Sequence, residues 1–218
     1  EDWERLKPRL QASDRRVDWV SGLQAFQLER SRGRFITYNA AVGYDKIQSY
    51  VATVRLLRAV IMEPDWVKDM YTTDAKLAME MCERMINGGF EFDGAFLACD
   101  LGYRNGLFFS PRHYREQLHP VFKDLCDYFK SRDMPVLLHC CGQVKDLIPY
   151  FIEEGITCLQ PLEVKAGMDL IELKNRYGDK MCFMGGIDVR LMAQEDPAPL
   201  EKEIREKIQV AKKGGGYI

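Results

Sequence analysis

The feature that most constrains this chain is a strict alternation, over its second half, of short apolar runs with stretches of helical period. Pro135 to Leu138, Ile156 to Leu159 and Met181 to Met184 are apolar runs of strand length. Between them lie helical patterns over roughly Lys145 to Glu154, stopped by Gly155, and over Met168 to Tyr177, stopped by Gly178. A strand that returns to pair in parallel needs a long crossover, so this alternation is that of βαβ units, with a parallel sheet inside and helices outside. The expected class is α/β.

The first half extends the pattern. Phe35 to Tyr38 and Phe92 to Ala98 read as strands, and Gly216-Tyr217-Ile218 begins a sixth. Helices are expected over Ile47 to Met62, ahead of Pro64, and over Asp74 to Asn87, ahead of Gly88-Gly89. Ser110-Pro111 is an N-cap with proline at the first helical position and opens a helix to about Arg132; Asp196-Pro197 opens another that Gly214 stops. No G-x-G-x-x-G or G-x-x-x-x-G-K segment follows any strand, which leaves a nucleotide-binding doubly wound sheet without local support. The expectation is a TIM-type (β/α)8 barrel with only about six of its strands in this chain. A closed barrel takes eight strands and about 250 residues, so residues 1–218 are expected to form one barrel domain, with the functional protein carrying further residues on both sides.

Charge excludes some partners. The 31 basic and 33 acidic side chains are interspersed, so no single-sign field attracts nucleic acid or anionic lipid. No uncharged apolar run approaches the roughly 18 residues of a membrane span, and Glu1 to Arg5 lacks the basic-then-apolar pattern of a signal peptide. The expected compartment is the cytoplasm, with a homo-oligomer left open. Seven irregularly spaced cysteines suit free thiols better than a disulfide framework. Cys82 and Cys126 lie on apolar helical stripes and are expected to be buried.

In a parallel barrel the residues after each strand converge on one mouth. Here they are Cys99-Asp100, His139-Cys140-Cys141-Gly142, Gln160-Pro161-Leu162-Glu163 and Gly185-Gly186-Ile187-Asp188. His139 and Cys141 are two apart, so in extended backbone they share a side while Cys140 points away. Imidazole nitrogen and thiolate sulfur suit zinc; the alternative is a histidine that caps its strand beside two packed cysteines. Asp188 is a candidate for chemistry or for capping the turn after it. Asp100 begins a loop with two glycines, Gly102 and Gly106, long enough to bind something. Glu163, two residues before Lys165, is a base, a ligand or half of an exposed ion pair. Tyr103, Gln160 and Gly186 are the candidate substrate contacts. His113 and His119 are read as packing or surface histidines of the Ser110 helix.

These motifs resemble the uroporphyrinogen decarboxylase superfamily, which also contains corrinoid methyltransferases of the methylcobamide:coenzyme M type. The resemblance runs from Phe92 to Ile218 through Asp93-Gly94, Asp100-Leu101-Gly102, Ser110-Pro111 with Tyr114-Arg115, and Leu138-His139-Cys140-Cys141-Gly142-Gln143-Val144. It continues through Leu159-Gln160-Pro161-Leu162-Glu163, Gly167-Met168-Asp169, Leu173-Lys174, Tyr177-Gly178, Gly185-Gly186-Ile187-Asp188 and Gly214 to Ile218. Trp3, Trp19 and Pro64-Asp65-Trp66-Val67 support it more loosely. It implies a TIM-type barrel with its site at the strand ends. In the methyltransferase branch it implies zinc held by an H-x-C pair, here His139 and Cys141, with a later cysteine that falls beyond Ile218. The decarboxylase branch implies an arginine-rich N-terminal segment, for which no match is found.

The function expected from the resemblance is tetrapyrrole-linked enzyme chemistry. The leading form is zinc-dependent methyl transfer with a corrinoid, held as substrate or on a partner protein. In it zinc on His139 and Cys141 activates a thiol, while Asp100, Glu163 and Asp188 position substrate or orient ligands. The rivals are a metal-free decarboxylase of porphyrin biosynthesis, in which Asp100 stabilises a protonated pyrrole, and a non-catalytic barrel that binds a corrinoid or porphyrin partner.

Overall fold

A computed structural model describes residues 2–218. The chain opens with α1 (Asp2–Leu6) and α2 (Trp19–Ser31), the latter capped by Asp18, whose carboxylate accepts the Ser21 N–H at 3.1 Å. Then come β1 (Thr37–Ala41), α3 (Gly43–Val51), α4 (Thr53–Met62), α5 (Pro64–Asn87) and β2 (Gly94–Ala98). A small hairpin of β3 (Gly102–Tyr103) and β4 (Gly106–Leu107) follows, then α6 (Pro111–Gln117), α7 (His119–Lys130) and β5 (Val136–His139). The rest alternates as α8 (Ile148–Glu154), β6 (Cys158–Gln160), α9 (Leu170–Tyr177), β7 (Cys182–Phe183) and α10 (Ala198–Ala211).

The main sheet runs β1-β2-β5-β6-β7, and every pair in it is parallel. Sequence order and spatial order coincide, with helices as the crossovers, which makes it part of a TIM-type barrel wall. Where a sixth strand is expected, Tyr217 makes one parallel bridge to Phe183. Directly paired residues point to the same face of a sheet, and each strand alternates its faces. Leu97, Leu138, Leu159 and Phe183 are fully buried beneath the helices together with Phe122, Leu125, Phe129 and Phe151. The opposite face carries Phe96, Leu137, Cys158 and Cys182 in one row and Ala98, His139 and Gln160 in the next, each residue paired with its neighbour in the row.

Several boundaries differ from the sequence expectation. The helix expected over Ile47 to Met62 is two helices, broken at Ala52 by a backbone at φ 64°, ψ 156°. The Asp74 helix starts ten residues earlier, at Pro64, where the missing N–H of proline costs nothing. The Ser110 helix divides at Leu118 because Pro120 cannot continue its hydrogen-bond ladder. β1 and β2 each begin two residues late: the Asp93 N–H donates to the Ile36 carbonyl at 2.8 Å, but the Ile36 N–H turns to the Asp93 carboxylate at 2.7 Å, which also takes Arg30 at 2.9 Å. All seven cysteines are free, with Cys82 and Cys126 buried. Among the described residues no helix is long and apolar enough to cross a membrane.

Candidate metal centre at the strand ends

β5 delivers His139 and Cys141 to one side and Cys140 to the other, where Cys140 is fully buried in the core. His139 Nδ1 lies 2.6 Å from Gln160 Oε1, its register partner on β6. An amide oxygen only accepts, so Nδ1 carries the hydrogen and Nε2 keeps a free lone pair. That Nε2 lies 3.5 Å from Cys141 Sγ and 3.8 Å from Asp100 Oδ1. Ligand atoms of Asp100, His139 and Cys141 all fall within 4.8 Å of one another. Zinc bonds of roughly 2.0–2.3 Å in tetrahedral array set neighbouring donors about 3.3–3.7 Å apart, so the His139–Cys141 spacing fits one ion and Asp100 needs only a small adjustment. Asp100 is a third donor that this geometry brings to the pair.

The donors are held by a second ring of contacts. Asp100 Oδ1 accepts the Cys141 N–H at 2.7 Å, while the Asp100 N–H donates to Asp45 Oδ2 at 2.6 Å. Asp45 comes from the first turn of α3, and burial pushes its carboxyl above the usual range. Glu163 Oε2 accepts the Gly142 N–H at 2.6 Å, and Lys165 stands 3.3 Å from its other oxygen. Gly142 has φ +83°, and a Cβ there would lie 2.3 Å from the Gly102 carbonyl carbon. The β3–β4 hairpin therefore presses directly on the Cys141 loop, tied by the Gln143 N–H to the Tyr103 carbonyl at 2.9 Å.

This surrounding is strongly anionic. Burial first, and then the nearby Asp100 and Glu163 carboxylates, push the Cys141 thiol up to about 12. With no cation beside it the sulfur stays protonated; a divalent ion is the charge that offsets the carboxylates and allows the thiolate to form. The donor chemistry and the field around it both fit a cation.

The remaining candidates are placed differently. Tyr103 is exposed on the hairpin, where its ring stacks on Phe108 at 6.1 Å. Gln160 is engaged with His139. Gly186 packs against Leu170, and its carbonyl accepts Lys207 Nζ at 2.6 Å. Asp188 follows β7 as expected, but its carboxylate takes the Arg190 side chain and N–H, which hold it down to about 2, and it is not one of the clustered donors. His113 sits beside Ser110 and His119 beside Glu154 on their helices. The sequence does not single out Asp45, because a β1 expected to end at Tyr38 leaves it seven residues away from the strand end. With its end at Ala41, Asp45 stands four residues beyond, much as Glu163 stands three beyond Gln160.

The family model for uroporphyrinogen decarboxylase matches residues 46–218. Among solved structures, a methyltransferase from Methanosarcina mazei superposes with a TM-score of 0.62 at 18% identity, over 86% of this chain and 52% of that one. The chain thus spans about half the length of that protein, and at this identity the likeness is one of fold. No curated protein matches significantly.

Proposed function

The chain belongs to the uroporphyrinogen decarboxylase family, and from that premise we propose that it is part of a zinc-dependent methyltransferase of tetrapyrrole-linked chemistry, with a corrinoid as methyl donor. The observation that carries this reading is the cluster of His139 Nε2, Cys141 Sγ and an Asp100 oxygen, with Gln160 fixing the imidazole tautomer. Zinc held there would supply Lewis acidity and lower the pKa of a thiol acceptor in an open position. The other roles fall to the chain itself. Gln160 keeps the proton on Nδ1, Asp45 holds the Asp100 backbone, and Glu163 pins the loop through Gly142. The hairpin with Tyr103 lies beside the donors and is the surface offered to a small-molecule substrate or a corrinoid protein. Asp188 serves as a turn cap in this reading.

Zinc stoichiometry in the full-length protein tests it. Cys141→Ala is expected to weaken zinc more than about 100-fold, because no neighbouring group replaces a charged soft ligand. Gln160→Leu should weaken it about 10–100-fold, the usual cost of losing an orienting partner, and Cys140→Ala should leave it unchanged. Equal zinc in wild type and Cys141→Ala, or none in either at neutral pH, would favour decarboxylation around Asp100 or simple partner binding.

A further inference from the structure

Beneath the donor cluster the same face of the sheet carries a pair of thiols. Cys158 on β6 and Cys182 on β7 are direct register partners, as Leu159 and Phe183 are on the opposite face. Parallel neighbours lie about 4.8 Å apart, inside the roughly 4.4–6.8 Å between Cα atoms that a disulfide spans. Directly paired side chains share a face, so the two thiols stand side by side on it. Both are free; Cys158 is buried and Cys182 is partly exposed. Neither belongs to the donor set of Asp100, His139 and Cys141.

We infer that Cys158 and Cys182 are a redox pair, which a low-molecular-weight disulfide converts to a cross-strand disulfide linking β6 to β7. Cys182, the more accessible sulfur, attacks the small disulfide as thiolate, forms a mixed disulfide and expels one small thiol. Cys158 then loses its proton and attacks Cys182 Sγ, and the second small thiol leaves. Two protein thiols are oxidised and one small disulfide is reduced to two thiols, so atoms and electrons balance. Burial pushes the Cys158 thiol above its ordinary value, which leaves it inert until a sulfur is held against it. The inference stands whether or not the strand ends bind zinc.

The sequence makes the experiment clean. Cleavage after Lys and Arg places Cys158 alone among cysteines in residues 146–165 and Cys182 alone in residues 181–190, while Cys140 and Cys141 share residues 133–145. The full-length protein is incubated with oxidised glutathione, its remaining thiols are alkylated, and its peptides are mapped by mass spectrometry. The expected result is a cross-linked species joining 146–165 to 181–190, lighter by two hydrogens and lost on reduction, with alkylation at both cysteines falling together. In Cys158→Ala, Cys182 should instead retain glutathione. A wild-type protein in which Cys182 keeps glutathione, or in which both cysteines remain fully alkylatable, overturns the pair.

Discussion

At the scale of single residues, the site depends most tightly on Gly142. It lies at φ +83°, its N–H donates to Glu163, and its α-carbon faces the Gly102 backbone with no room for a methyl group. Gly142→Ala should therefore destabilise the fold by about 3 kcal/mol or more, combining left-handed backbone cost with overpacking against backbone that cannot yield. Gly214 is the comparison: φ is +73°, but nothing lies within 4 Å. Gly214→Ala should cost only about 1–2 kcal/mol, the backbone share alone; urea unfolding of both variants separates the two contributions. The period of two along β5 made His139 and Cys141 legible as a same-side pair. Gln160 was legible as a strand-end group but not as the imidazole's partner, since that depends on the register of β5 against β6.

Among the elements, parallel strands and their crossovers could be read because alternation and glycine stops are local signals. The helix breaks at Ala52 and Leu118 could not all be read in this way. Pro120 announces the second, whereas nothing in Val51-Ala52-Thr53 announces the first. Ala52 closes α3 by donating to the Gln48 carbonyl at 2.8 Å and opens α4 by accepting the Leu56 N–H at 3.0 Å. It does both in a region of backbone space that only glycine enters freely. The turn sets the direction of α3 and hence the position of Asp45 over Asp100. Ala52→Gly should raise stability by about 1 kcal/mol, as relief of strain outweighs the extra freedom of an unfolded glycine. A loss of stability in thermal unfolding would show that the turn is unstrained.

The molecule as a whole carries buried acid that bears on its behaviour with pH. Asp74, on α5, faces the Gly43 N–H at the start of α3, and its Oδ2 has no partner among the described residues. Burial raises its carboxyl from 3.8 to about 7. The folded protein then holds this proton more tightly than the unfolded chain does. The contribution to stability is full below about pH 4 and is lost as pH rises to about 7, with no further change above. Asp74→Asn should match wild type near pH 4 and exceed it by about 2–4 kcal/mol at pH 8, at 1.36 kcal/mol per unit less an imperfect amide fit. Urea denaturation at the two pH values measures the difference. A last consequence belongs to the pairing of His139 with Gln160. Strands joined through helices have no tight turn to fix their alignment, and a slip of one residue would set Leu159 opposite the imidazole and turn Gln160 towards the helices. The donor cluster then assembles only on a correctly aligned sheet. An ion that binds it at 100 times its dissociation constant would favour that alignment over every shifted competitor by about 2.7 kcal/mol, so a loaded centre would proofread the folding of the wall that carries it.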